Sequence, residues 1–289
     1  MGARTRFFAR SHLKRMAREA HDQFPQVACL SFDAISMCVM VDGRYELEEL
    51  RALEREVFPH LPSRTTCLDI GSNIGNHALF FAEHFEQVLA FEPHPRLYPL
   101  LNYNAGLTDN IRTFPFGLSD SSTTVQASAA PGNIGATRIG SESGNSFDFK
   151  VKRLDDLPEV QSLDRIDFVK IDVEGHEPQM LKGAEAILRR HRPVIAIEVL
   201  KAEVKQGTSA SLDALRSFGY RAFYELSSNR PFAFAPKPLA KAATFLIGLI
   251  FNHRPEKRFS LVPLESLSSS RNYPMILAFA DPIAPRESD

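Results

Sequence analysis

Residues 65–81, TTCLDIGSNIGNHALFF, decide the fold. A short apolar run, a glycine-containing turn and the start of an apolar helix follow one another without a break. Residues 65–70 read as a buried strand, and the helix opens near Asn76. Strand, Gly-rich turn and helix in that order is how α/β proteins hold a nucleotide-like ligand. Gly71 and Gly75 can take left-handed backbone angles and let the chain come close to such a ligand. The helix beyond them points its unpaired N–H groups at the same place. Asp69 is a carboxylate inside an apolar strand. That placement is costly unless a backbone N–H or a cationic ligand offsets it.

The spacing argues against a dinucleotide. A nicotinamide site needs G-x-G-x-x-G after the strand, and here Asn73 stands where the second glycine belongs. An acidic strand end is also a poor neighbour for a pyrophosphate. It suits the sulfonium and amino group of S-adenosylmethionine. A tight turn with no ligand is the plain alternative.

Downstream, residues 87–91 (QVLAF) form a second strand ending at Glu92, about 20 residues beyond Gly71. An acid there is placed to accept hydrogen bonds from both hydroxyls of a ribose. Pro93, His94 and Pro95 open a helix with Leu97, Leu100 and Leu101 inward. Strand three spans about 111–116. Ser119 or Asp120 after it either reads an adenine amino group or belongs to a simple turn. Residues 121–146, rich in Ser, Thr, Ala and Gly, read as a long loop bordering the substrate cleft. FDFKVKR, at 147–153, alternates as a half-exposed strand should.

A second focus follows the buried strand 166–171, which carries Lys170. It ends in Asp172, Glu174, His176 and Glu177, four titratable side chains at the end of a central strand. Ligands of open α/β sheets sit outside those carboxyl ends. A helix over 178–190, a strand over 194–200 containing Glu198, a helix near 209–218 and strands near 220–226 and 274–280 complete about seven strands. Residues 227–273 are an insertion. Its apolar run 239–251 (LAKAATFLIGLIF) is shorter than the roughly 20 residues a bilayer span needs. It reads as a lid, a dimer helix or an interfacial membrane contact.

Upstream, residues 27–41 read as two short strands around Asp33, Asp42 and Gly43 as a turn, and 45–61 as a helix with acids in its first turn. The N-terminus carries Arg4, Arg6, Arg10, Lys14, Arg15 and Arg18 without the apolar core of a secretory signal. It is either a solvated terminus or a basic helix that touches acidic lipid or a polyanionic partner. The net charge of -1 gives no global field for nucleic acid. Cys29, Cys38 and Cys67 show no C-x-x-C spacing and cannot all pair. That argues for a reducing compartment and against structural zinc, and the missing secretory signal for a cytoplasmic protein, membrane-associated where 239–251 or the basic N-terminus touches lipid.

DIGSNIGNHALFFA, FEPHP, GLSD, FVKIDVEGHEPQMLKGA and RPVIAIEV together resemble the FkbM family of methyltransferases, from about residue 43 to 199. The resemblance implies the class I S-adenosylmethionine-dependent fold, a seven-stranded, mostly parallel sheet of order 3-2-1-4-5-7-6 with helices on both faces. Residues 1–62 are then an N-terminal extension and 63–289 the methyltransferase domain. It also implies O-methylation of a hydroxyl on a glycan, glycolipid or natural product. The expected cofactor contacts are Asp69, Gly71, Asn73, Gly75, Asn76, Glu92, His94, Ser119, Asp120 and Asp172. A hydroxyl acceptor must lose a proton, which needs a general base, a metal or both. His176 is the candidate base, oriented by Asp172, Glu174 and Glu177. Alternatively Asp172 and Glu198 ligate a divalent cation, or Lys170 neutralises one of them and no metal is used. A non-catalytic protein of the same fold is the competing reading, and a nicotinamide oxidoreductase the third.

Overall fold

The computed structural model describes residues 2–31, 33–129, 137–139, 145–229 and 258–283. The apolar run 239–251 lies outside the described residues. Three helices open the chain: α1 (Ala3–Ala20), α2 (Ala34–Asp42) and α3 (Leu47–Glu56), with a 3₁₀ turn at Phe58–His60. Then come β1 (Thr66–Ile70), α4 (Asn76–Ala82), β2 (Gln87–Phe91), α5 (Tyr98–Ala105) and β3 (Ile111–Phe114). β4 (Gly117–Leu118), β5 (Thr123–Ala129), β6 (Arg138–Ile139), β7 (Asn145–Lys152) and α6 (Pro158–Gln161) follow. β8 (Phe168–Ile171), α7 (Glu177–Lys182), α8 (Glu185–His191), β9 (Val194–Val199), α9 (Ala210–Ser217), β10 (Ala222–Asn229), β11 (Arg258–Pro263) and β12 (Tyr273–Phe279) complete it.

The central sheet runs β11-β10-β12-β9-β8-β1-β2-β3. β9, β8, β1, β2 and β3 are parallel neighbours, and β12 enters antiparallel between β9 and β10. Counting along this order gives the expected sequence of strands with one addition. The edge strand β11, inside the 227–273 insertion, pairs antiparallel with β10, so the described residues place eight strands in this sheet.

Both faces of this sheet are buried, so its central strands are apolar throughout instead of alternating. Leu68, Ile70, Val169, Ile171, Ile195 and Ile197 face one core with Leu181, Leu188 and Leu215. Cys67, Phe168, Ala196 and Leu277 face the other, with Leu50, Leu53, Phe58 and Phe81. The ring of Phe58 has the rings of Phe85 and Phe168 within 5.5 Å. The leucines of α3 therefore belong to the same core as the sheet.

Several expectations are corrected. Residues 34–42 form a helix instead of two strands. Asp33 caps it by accepting from the N–H groups of Ile35 and Ser36, and Gly43 ends it with φ of 80°. The stretch 121–146 is not one long loop. β5 lies along β7 over seven residue pairs, in a second sheet of order β4-β7-β5-β6. α5 starts at Tyr98, not directly after Pro93. The expected helix over 178–190 is two helices that meet at Gly183. A Cβ there would sit 1.9 Å from the Ser119 carbonyl oxygen, so the α7–α8 corner packs directly on the chain after β4.

Candidate active site

The turn after β1 folds around its neighbours before any ligand is considered. Gly71 has φ of 83°, and a Cβ on it would lie 1.8 Å from the carbonyl oxygen of Asp172. The demand for glycine thus comes from the loop after β8 pressing on the loop after β1. Both loops edge a cleft of about 240 Å³, whose walls include Ser72, Asn73, Glu92, His94, Leu97, Leu118, Phe149 and Val151.

Glu92 is buried in that wall. Its Oε2 accepts from the Asn73 N–H at 2.8 Å and its Oε1 from the His94 N–H at 2.8 Å. Burial pushes its carboxyl up to about 7 against those two hydrogen bonds. Each oxygen keeps a lone pair. His94 is also buried, beside Phe147 and Phe149. Its Nδ1 accepts from the Arg96 N–H at 3.1 Å, and burial lowers its pKa to about 4. The ring is neutral at pH 7 with its proton on Nε2, and that buried N–H has no hydrogen-bond partner among the described residues. Asn76 also borders the cleft, but its side-chain amide is engaged on the N-terminal segment. Its Oδ1 accepts from the Tyr45 N–H and its Nδ2 donates to the Tyr45 carbonyl, both at 3.0 Å. The amide is used to fasten the N-terminal segment. Ser119 and Asp120 are not among the cleft walls.

The acidic run after β8 divides its labour. Glu177 is fully buried, and its Oε1 accepts from the N–H groups of Val173 and Gly175, which closes the loop on itself. Burial raises its carboxyl to about 7. His176 lines the cleft, with Nε2 2.9 Å from Ser119 Oγ. Its orientation comes from Ser119 and not from the neighbouring acids, and burial lowers its pKa against the opposing charge of Asp120. Glu174 pairs with Arg138 at 3.6 Å. Asp172 Oδ2 accepts from Lys170 Nζ at 3.0 Å.

Lys170 sits at the centre of a row that crosses the sheet. It is registered opposite Asp69 on β1 and Ala196 on β9, on the same face as Glu198. Its Nζ is 4.0 Å from Asp69 Oδ1. Asp69 is fully buried, and neither of its oxygens has a hydrogen bond among the described residues. The partner that offsets its charge is this protein cation rather than a backbone N–H. Burial works against the charge on Lys170, but Asp172 and Asp69 outweigh it and hold the ammonium above its usual range.

A second cavity of about 120 Å³ lies on this face, lined by Tyr45, Glu46, Lys170, Asp172, Glu174, Glu198 and Met275, among others. Tyr45, Lys170, Asp172 and Glu174 border both cavities. Burial, then Asp172 and Glu174, raise the Glu198 carboxyl to about 8. Asp172 and Glu198 share this wall, but Asp172 is held by Lys170. Among the described residues no three His, Cys, Asp or Glu side chains converge to hold a metal ion. The sequence reads Tyr45 and Glu46 only as the start of a helix, whereas α3 begins at Leu47 and Glu46 stands before it. Glu46 carries φ of 54°, and its Oε2 stands 3.2 Å from Nε2 of the buried His77. Only the Asp42-Gly43 turn just before them marks the place.

A family profile described as "Methyltransferase FkbM domain" matches residues 69–222. Among curated proteins, "Methyltransferase sdnD" of Sordaria araneosa is 27% identical over 223 residues, covering 64% of this chain and 83% of its own. "Hexuronic acid methyltransferase AglP" of Haloferax volcanii is 35% identical over 116 residues, covering 40% of this chain and 48% of its own. "2-O-methyltransferase NoeI" of Sinorhizobium fredii is 29% identical over 174 residues, covering 52% of this chain and 71% of its own.

Proposed function

The chain belongs to the FkbM methyltransferase family, and from that premise we propose that it methylates a hydroxyl of a glycan, glycolipid or natural-product acceptor. It is an S-adenosylmethionine-dependent methyltransferase. Relatives named for a hexuronic acid and for a 2-O position support a sugar hydroxyl as the acceptor. The observation that carries the reading is the shared wall. A donor in the larger cleft and an acceptor in the smaller cavity would meet at Tyr45, Lys170, Asp172 and Glu174.

The residues present fit the donor. Apolar walls at Leu97, Leu118 and Phe149 suit a purine, and the His94 Nε2–H, without a partner among the described residues, offers it a hydrogen bond. Glu92 keeps lone pairs for ribose hydroxyls. Asn73 and the backbone after Gly71 border the end nearest Asp172. When bound, S-adenosylmethionine supplies an electrophilic methyl group. The protein's task is chiefly to align an acceptor oxygen with it, since positioning alone contributes several kcal/mol, ~7–11 in the best cases. Asp172 takes the hydroxyl proton. Lys170 holds that carboxylate in place from 3.0 Å, and Ser119 fixes the neutral His176 at the edge of the same cleft.

The test is incubation with methyl-labelled S-adenosylmethionine and a panel of neutral glycosides and hexuronosides, read by NMR of the products. New methoxy signals on sugar oxygens are expected. Label on nitrogen or carbon, or no methylated glycoside while S-adenosylhomocysteine binds normally, would count against a sugar hydroxyl.

A further inference from the structure

Helix α1 is the most one-sided part of the molecule in charge. It carries Arg4, Arg6, Arg10, Lys14, Arg15 and Arg18 against the single acid Glu19, while the whole chain has a net charge of -1. The remainder is therefore net acidic. At about 3.6 residues per turn all six cations fall in one arc of the helix, with Phe7 inside it and Phe8 at its border. Phe7 is 67% exposed, Phe8 70% and Leu13 42%. The two phenyl rings touch edge to face, 5.9 Å apart.

The helix packs on α2, and α2 continues the apolar surface. Met37, Met40 and Val41 are each more than half exposed. The first turn of α2 has another role, because Ala34 and Ile35 line the larger cleft. One surface thus joins a cationic arc, two aromatic rings and a set of flexible apolar side chains, and it lies at the rim of the candidate active site.

We propose that the α1–α2 face docks on an anionic phospholipid surface. The cations answer the charge of the headgroups, and Phe7, Phe8 and the α2 side chains enter the interface beneath them. Duplex nucleic acid fits less well, because phosphates reward the arginines but leave six exposed apolar side chains uncovered. The acidic remainder of the chain is repelled by the same surface, which orients the protein with α1 toward the lipid and the cleft rim close to it. An acceptor carried on a lipid would then reach the site without leaving the bilayer. This proposal stands apart from the choice of acceptor chemistry.

The experiment uses the full chain, sedimented with extruded vesicles of phosphatidylcholine alone and of phosphatidylcholine with phosphatidylglycerol in equal parts. Binding to the anionic vesicles only is expected. The double variant Arg10→Gln/Lys14→Gln should weaken it roughly tenfold or more. Phe7→Ser/Phe8→Ser should abolish the part that survives high salt. Both variants touch exposed side chains, so S-adenosylhomocysteine binding should match the unaltered protein and certify the fold. Any of four results would overturn the proposal: no vesicle binding, equal binding to neutral vesicles, binding that neither variant reduces, or a soluble dimer or duplex DNA complex that forms through α1 while vesicles stay unbound.

Discussion

Glu92 was legible at the residue scale because its distance from the glycine turn is fixed by one helix and one strand. Its environment was not. It holds two backbone N–H groups, so Glu92→Ala removes ribose contacts and also releases the Asn73 and His94 amides. We expect the fold to survive and S-adenosylhomocysteine affinity, measured by calorimetry, to fall roughly tenfold or more. Its carboxyl titrates near 7, and the ionised form is the better acceptor. Affinity should therefore rise with pH through about 7 in the unaltered protein and stay flat in Glu92→Gln. Equal affinity in Glu92→Ala would move the ribose elsewhere. Lys170 is the opposite case, plain as a letter in a strand, but its partner Asp69 is distant in sequence and reaches it only because β1 and β8 lie side by side. Lys170→Met leaves Asp69 buried beside no cation, at about 3–5 kcal/mol in urea unfolding. Adding Asp69→Asn should restore part of that stability. If the double variant were no more stable than the single, the pairing at 4.0 Å would not be what holds Asp69.

At the element scale, the strands of the central sheet were legible because both faces are buried and the runs are short, apolar and spaced by helices. Residues 27–41 misled for the reverse reason. A short apolar run has no periodicity that separates strand from helix, and the deciding signal was Asp33 as a cap. β5 was hidden because Thr, Ser, Gln and Ala make a weak hydrophobic pattern, and its pairing with β7 is a tertiary fact. Gly183 marks where two helices and the chain after β4 converge. Gly183→Ala places a methyl 1.9 Å from a backbone carbonyl that cannot swing aside. It should cost about 1–3 kcal/mol or more and shift Ser119, which holds His176. Chemical denaturation reads the first effect and the His176 imidazole NMR signals the second. A variant as stable as its parent would mean that the α7–α8 corner yields freely.

For the whole molecule, buried acids set how stability follows pH. In the folded state Glu198 titrates at about 8 and Glu177 at about 7, against an ordinary 4.5. The folded chain then binds more protons than the unfolded one from about 4.5 to 8, so these groups lower stability progressively as pH rises through that window. His94, pushed down to about 4, works the other way but only up to its ordinary 6.5. Between about 7 and 8 the acids act alone, and stability should fall with pH. Glu198→Gln should flatten that fall, as read by thermal or urea unfolding at several pH values, and an unchanged slope would show that Glu198 does not carry it. The sequence by itself determined the parallel α/β frame, the glycine turn, the acid at the end of β2 and the acidic run after β8. Each of these rests on local spacing and on burial of both sheet faces, which a linear chain records. Tertiary structure alone decided which polar groups meet: Asp69 with Lys170, His176 with Ser119, Asn76 with Tyr45, and the two cavities that share Asp172. Those contacts join residues dozens of positions apart, and only the strand order and the packing of the N-terminal helices bring them within about 4 Å of one another.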